Sequence, residues 1–460
     1  MTRRHRNYKC LFILMTFILV AILGVPTSCT TPAPTVILQE GNNLPKTQLQ
    51  PKQSRELEDN RIGDFPELQH LDFRLEQLLD TGYKWQKVEI LKDGKYDGRF
   101  WDVDWYTEEY IVDPEDDNAI TELANNGVSL VACLGCLLDE SGVAEYGRFK
   151  TEEEIQLYLS YVRKVVRHFK NRIQYYEIWN EPNVQTPNWY VELPDYINLV
   201  KRTVSVIRQE YPEARIVVGS TSYLGDPESR DYLFGVLKSD IMPLVDVVSW
   251  HPMFGTSPEY DCCRDYYYNY PSIVQEIKDV ATAHGFDGEY YAAELNWIYP
   301  QHPLPLVEGQ PRYIKTICAK YYARGIVMHL GMDVAAGIIS WGGNPIEENV
   351  VRNLCTVMAG AEPIDLPIEI ESEATNIKSY GFSLPNGDKL LALWTDGVAV
   401  DDDPGIEATL TIPGFSAQKV VGIDVLHGFE QELVTSMEDG NLVIRSLLVK
   451  DYPIILRLGD

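Results

Sequence analysis

The sequence predicts an α/β fold, a (β/α)8 TIM barrel followed by an all-β sandwich domain. Three observations carry that prediction. From about residue 61 to residue 361, eight short apolar runs alternate with segments of helical period. From residue 362 to residue 460 the helical period stops, and short alternating runs bounded by turn residues replace it. The length of 460 residues accommodates a barrel of about 250 to 300 residues and a domain of about 100.

The barrel elements follow in order. A short strand at 61–65 precedes a helical run at 68–79 and a strand at 83–91. Pro114 opens a helix that stops at Asn126-Gly127, and a buried strand spans 128–134. Thr151 and Glu154 form a capping box for a helix whose Ile155, Leu159, Val162, Val166 and Phe169 share one face. Strands follow at 173–179, 214–220, 245–250, 289–295 and 335–341. The helices between them begin near Pro194, at 232–237, at 272–284 and at 312–330. In the second domain, strands are expected at 389–394, 408–412, 420–426, 442–448 and 453–458, with turns at Asn386-Gly387 and Asp439-Gly440.

The first residues stand apart. Arg3, Arg4, Arg6 and Lys9 precede an apolar run at 10–25, shorter than the about 20 residues a membrane span needs. Pro26-Thr27-Ser28-Cys29 follows. Residues 1–28 therefore read as an export signal of the lipoprotein type, with Cys29 as the lipid attachment site. Soluble secretion after cleavage and an uncleaved anchor are the other readings of the same leader. Residues 29–60, rich in Thr, Pro, Gln, Asn and Lys, read as a flexible linker. The expected location is extracytoplasmic, with the membrane touched only through the N-terminal lipid or anchor.

A formal net charge of −28 repels phosphate backbones and excludes nucleic acid as the natural partner, whereas neutral glycans are indifferent to it. Beyond the leader stand Cys133, Cys136, Cys262, Cys263, Cys318 and Cys355. Cys133 and Cys136 have the spacing of a zinc or redox knuckle, but no second well-spaced pair or nearby His completes it. No metal or organic cofactor is expected. An exported compartment permits a disulfide somewhere among the six, with its connectivity open.

The strand at 173–179 ends abruptly in Asn180-Glu181-Pro182-Asn183. Pro182 cannot donate to a sheet ladder and pushes Glu181 towards an extended backbone. Asn180 and Glu181 are thereby delivered at the strand's carboxyl end, where parallel barrels keep their chemistry. The string Tyr-Glu-Ile-Trp-Asn-Glu-Pro-Asn over 176–183 resembles the acid/base motif of the clan A retaining glycoside hydrolases, and within them the xylosidase and iduronidase branch.

That resemblance implies cleavage of an oligo- or polysaccharide by double displacement, with Glu181 after strand four as acid/base and the nucleophile after strand seven. Retention requires the two carboxyl groups to meet about 5 Å apart. Tyr290-Tyr-Ala-Ala-Glu294-Leu-Asn-Trp297 supplies the second as Glu294. By the same resemblance Asn180 contacts the sugar 2-hydroxyl, His251 contacts substrate or nucleophile, and Trp341 is the platform under the reacting sugar. Trp189 and Trp297 complete the expected substrate-binding set.

Two positions depart from the pattern. Lys87 stands where relatives have an Arg that supports the nucleophile, and Met253 where a His-x-Tyr motif would place a tyrosine. A donor to the nucleophile is then expected from Tyr260, from the run Tyr266-Tyr267-Tyr268, or not at all. The departures motivate a second reading, a catalytically inactive glycan-binding lipoprotein on the same scaffold. A third, an anchored zinc protein, rests on Cys133 and Cys136.

Overall fold

The computed structural model describes residues 37–65, 71–89, 114–135, 147–185, 189–299, 311–340, 343–417 and 419–459. The leader, Cys29, Cys136 and Trp341 lie outside the described residues. In chain order the structure opens with a strand, β1 (Lys46–Gln48), and then enters the barrel. The barrel strands are β2 (Ile62–Asp64), β3 (Trp85–Glu89), β4 (Ser129–Leu134), β5 (Tyr175–Ile178), β6 (Arg215–Thr221), β7 (Val247–Trp250), β8 (Glu289–Leu295) and β9 (Ala335–Ile338). All pair in parallel with their sequence neighbours, and β2 pairs with β9 through Ile62 and Ala336 to close the ring. The expected (β/α)8 barrel is the observed one.

Among the described residues eight helices alternate with these strands: α1 (Leu71–Thr81), α2 (Pro114–Asn125), α3 (Glu152–Phe169), α4 (Leu193–Glu210), α5 (Pro227–Leu237), α6 (Asp261–Ala283), α7 (Lys315–Gly331) and α8 (Pro345–Val357). Thr151 caps α3 by accepting from the Glu154 amide, but the Glu154 carboxylate pairs with Arg148 at 2.6 Å rather than closing a capping box. Helix α6 begins earlier than its sequence suggests and carries Pro271 inside it. Burial of Tyr267 and Tyr270 ahead of that proline offsets the donor it removes.

The interior of the barrel is packed. Trp85, Val131, Tyr175, Val217, Val247, Tyr291, Ala293 and Ala335 form one buried cluster, and the Trp85 ring lies 4.8 Å from that of Tyr175. Because strand side chains alternate, Lys87 and Glu177 two residues on also point inward, one layer nearer the strands' carboxyl ends.

The second domain pairs a seven-stranded with a four-stranded antiparallel sheet. The first runs β1, β16 (Phe429–Glu432), β15 (Lys419–Asp424), β19 (Ile454–Gly459), β13 (Lys389–Thr395), β12 (Ile377–Ser383), β10 (Glu362–Ile364). The second runs β11 (Glu369–Ser372), β14 (Ile406–Ile412), β18 (Asn441–Val449), β17 (Ser436–Glu438).

The expectation of a flexible linker over 29–60 needs correction where residues 37–60 are described. Strand β1 extends the larger sheet at its edge by pairing with β16, and Leu38 and Leu49 are buried. The Gln39 side chain donates to the Val434 and Arg445 carbonyls at 2.8 and 2.9 Å, and Asn60 donates to the Gly82 and Cys355 carbonyls. Polar composition suggested solvent, but here polar side chains substitute for backbone partners across distant sequence.

Helix α7 locks the two domains together. Arg324 is buried, donating to the Asp451, Gly397 and Thr395 carbonyls, while Lys320 pairs with the Asp451 carboxylate at 2.7 Å. From α6, Tyr267 donates to the Asp396 carboxylate at 2.7 Å.

One buried acid gives the fold a pH dependence. Burial, reinforced by the nearby Asp64 carboxylate, pushes Glu347 on α8 up to about 8. Unfolded, it would lose its proton near the ordinary 4.5. Its contribution to stability is therefore complete below that value and is lost as pH rises through about 8. Glu347→Gln, which cannot ionise, is expected to melt with the parent at about pH 5 and above it at about pH 9. A parent and variant whose melting temperatures stay parallel across that range would remove this assignment.

Candidate active site

The site forms where β3, β5, β7 and β8 end. After β5 the backbone turns sharply: Trp179 and Glu181 both have positive φ, +66° and +47°, so Glu181 is left-handed rather than extended as Pro182 led one to expect. The Glu181 amide donates to the Ser220 carbonyl at 2.9 Å, and Ser220 itself has φ +42° where the β6–β7 register shifts between Gly219 and Thr221. On β8, alternation from the inward Tyr291 and Ala293 would turn Glu294 outward. A register shift between Ala292 and Leu295, with φ +62° at Glu294, re-aims the side chain towards the mouth. Left-handed backbone at non-glycine residues costs about 1–3 kcal/mol each, and Trp179, Glu181, Ser220 and Glu294 carry it at the strand ends around the two glutamates.

The two carboxyl groups meet. One oxygen of Glu181 and one of Glu294 lie within 4.8 Å of each other, with a ring nitrogen of His251 inside the same distance of both. His251 Nδ1 is 2.9 Å from Glu181 Oε1, and its Nε2 is 3.2 Å from Glu294 Oε1 without forming an aligned hydrogen bond. The histidine is itself held: its amide donates to the Thr221 carbonyl, its carbonyl accepts from Leu224, and Tyr266 donates to the carbonyl of Pro252. Behind it Trp250 donates to Tyr270, and Tyr270 donates to His329 Nε2 at 2.7 Å. His329 Nδ1 faces the Gly325 carbonyl at 2.6 Å, which makes Nδ1 the protonated nitrogen, and burial lowers this imidazole to about 4.

Lys87 is the centre of charge. Fully buried, its Nζ lies 2.8 Å from Glu177 Oε1, 3.0 Å from Glu294 Oε1 and 2.8 Å from Asn180 Oδ1, and 4.5 Å above the Phe65 ring. Burial alone would lower its pKa, but the carboxylates of Glu177 and Glu294 outweigh that and raise it well above the usual value. An ammonium only donates, so the Asn180 atom facing it is the carbonyl oxygen, and the amide NH2 is the group Asn180 has left for a sugar. Lys87 thus holds Glu294 from the position where the resemblance places an Arg in relatives, using separate donors rather than a planar fork. Its ammonium also makes the Glu181–His251–Glu294 cluster, which has the residue types of a metal site, a poor place for an added divalent cation.

The structure brings Glu181, Glu294, Asn180 and His251 together. Trp189 is half-buried, and its carbonyl accepts from the Trp179 indole at 2.9 Å, which closes the loop after Glu181. Trp297 does not reach the site and is corrected here to a packing residue. It is 2% exposed, donates to the Thr256 carbonyl and stacks on Tyr321. Nor do the expected tyrosines donate to Glu294. Tyr260 donates to the Arg312 carbonyl, Tyr266 to Pro252, and Tyr267 and Tyr268 to Asp396. Cys133 is buried on β4.

Sequence reasoning missed Glu177. Its signal was present: an acid in the apolar strand Tyr175–Ile178 needs a buried cation, and Lys87 was in the corresponding layer of β3.

Solved structures resemble this arrangement of barrel and β domain. A family 39 glycoside hydrolase from the gut symbiont Bacteroides cellulosilyticus superposes with a TM-score of 0.60 at 13% identity, over 89% of this chain and 83% of that one. At identities of 10 to 13%, what these glycoside hydrolase structures share with this chain is the fold. A glucosidase from Croceicoccus marinus (TM-score 0.54, 11% identity, 90% of this chain and 98% of that one) is also similar. So is a family 30 subfamily 8 xylanase from Clostridium acetobutylicum (TM-score 0.52, 10% identity, 90% and 97%). No sequence-family model and no curated protein sequence matches the chain.

Proposed function

We propose that the protein is a retaining glycoside hydrolase acting on a neutral oligo- or polysaccharide. The observation that carries this reading is the approach of Glu181 and Glu294 to within 4.8 Å at the barrel mouth. That spacing suits a nucleophile in direct reach of the sugar rather than the wider gap that admits a water. Glu294 attacks the anomeric carbon as the bond to the leaving oxygen breaks, and Glu181 gives that oxygen its proton. Water then loses a proton to Glu181 and displaces Glu294 from the sugar. Lys87 and His251 crowd Glu294 Oε1, which supports a reading in which that oxygen is anchored and Oε2 attacks. Formation of the glycosyl ester removes the Glu294 charge that faces Glu181, easing the switch of Glu181 from acid to base. The NH2 of Asn180 donates to the 2-hydroxyl, a contact that tightens in the transition state.

The leader supports export, with Cys29 as the lipid-bearing residue, so the enzyme would work outside the cytoplasm. The decisive test is trapping with activated 2-deoxy-2-fluoro glycosides, taken from both pentoside and hexoside series. One glycosyl mass is expected on the peptide carrying Glu294, and none in Glu294→Gln. Glycan binding with neither turnover nor labelling across such a panel would favour the binding-only reading instead.

A further inference from the structure

We propose that Cys262 and Cys263 form a redox site at the barrel mouth, a vicinal thiol pair that closes to a disulfide ring on meeting a small-molecule disulfide. The two sulfurs lie 2.6 Å apart. That is too close for a relaxed pair of non-bonded thiols and short of the about 2.0 Å covalent bond. Adjacent side chains on a helix ordinarily diverge by about 100° and do not face each other, so this contact reflects two side chains turned towards one another.

The pair occupies the first turn of α6, where backbone constraint is weakest. The Cys263 and Arg264 amides both reach back to the Tyr260 carbonyl, and Tyr260 provides no side-chain cap. Ring closure can therefore redraw this turn without breaking the body of the helix. Cys262 is exposed and Cys263 half-buried, whereas Cys133, Cys318 and Cys355 are all buried.

Neighbouring contacts tie the pair to the catalytic rim. The Cys263 thiol faces the Tyr223 side chain, and Tyr223 accepts from Thr256 at 3.2 Å. Ser222, the residue before it, is bonded through its amide and hydroxyl to Asn183, two residues beyond Glu181.

The chemistry balances with a low-molecular-weight disulfide as oxidant. Cys262, as thiolate, attacks one sulfur of glutathione disulfide, forming a mixed disulfide and releasing one glutathione thiolate. Cys263 then gives its proton to solvent and attacks the Cys262 sulfur, closing the ring and releasing the second glutathione. Burial and the adjacent Cys262 sulfur push the Cys263 thiol up to about 12, which suits Cys262 to the first, solvent-facing step.

The test uses the full chain, reduced, freed of reductant, treated with glutathione disulfide and then denatured and alkylated. The peptide holding both cysteines is expected to be about 2 Da lighter than its reduced form, to resist alkylation, and to take two alkyl groups after phosphine reduction. Cys263→Ser is expected to stop at a stable glutathione adduct on Cys262. Persistence of that adduct in the parent protein, two free alkylatable thiols after treatment, or pairing of either cysteine with a different one would each overturn the proposal. None of these readouts depends on glycosidase activity.

Discussion

Glu294→Gln is expected to lower turnover of an aryl glycoside about 10⁴-fold, an order typical of losing a covalent nucleophile. Glu181→Ala should behave differently, and the difference separates the two roles. With a dinitrophenolate leaving group no proton is needed, so glycosylation in Glu181→Ala should persist while deglycosylation stalls for want of a base. The expected signature is a burst of phenolate followed by slow turnover, with KM lowered along with kcat. Added azide, which attacks without general-base help, should restore turnover and yield a glycosyl azide of retained configuration. Inverted azide from Glu181→Ala, or azide rescue in neither variant, would reverse or remove the assignment. The residue separation makes these roles physically accessible: 113 positions apart in the chain, the carboxyl groups converge because β5 and β8 share one closed sheet.

Much of this was readable because the relevant signals were local. A strand that must be buried on both faces reads as an apolar run, and an acid with Asn and Pro at its end reads as a rim position. Glu181, Glu294, Asn180 and His251 all follow that logic. The opposite holds for groups whose meaning depends on a partner across the barrel. Glu177 makes sense only beside Lys87, which lies 90 residues earlier and two strands away. Strand β1 is invisible for a related reason. Its Lys-Thr-Gln has no apolar alternation, and what holds it is the exposed ladder of β16, nearly 400 residues on. Trp297 shows the converse error: an aromatic just past a strand end can serve a ligand or the core, and only the position of Tyr321 and Thr256 decides. Bulges have no compositional mark at all, yet the one at β8 is what turns Glu294 into the mouth.

Lys87→Met is expected to destabilise the fold by about 3–5 kcal/mol and to abolish turnover, the two losses having separable causes. Stability falls because the methionine removes the cation from Glu177, whose side chain is fully buried and whose carboxylate makes ion-pair contact with Lys87. Turnover falls because Glu294 Oε1 and Asn180 Oδ1 lose the ammonium that fixes both. Glu177→Gln added to Lys87→Met removes the stranded charge, so the double variant should regain most of the lost stability. It should regain no activity, since the amide at 177 offers nothing to Glu294 in place of Nζ. Denaturant melts of the two single variants and the double variant measure the coupling directly, and the same preparations are assayed on an aryl glycoside. A Lys87→Met chain as stable as the parent would show that the layer above Trp85 and Tyr175 tolerates an uncompensated acid. The buried ammonium could then no longer be held responsible for the shape of the site. Recovery of activity together with stability in the double variant would point elsewhere, to a Lys87 that serves the fold and leaves Glu294 to be positioned by His251 and the β8 bulge alone.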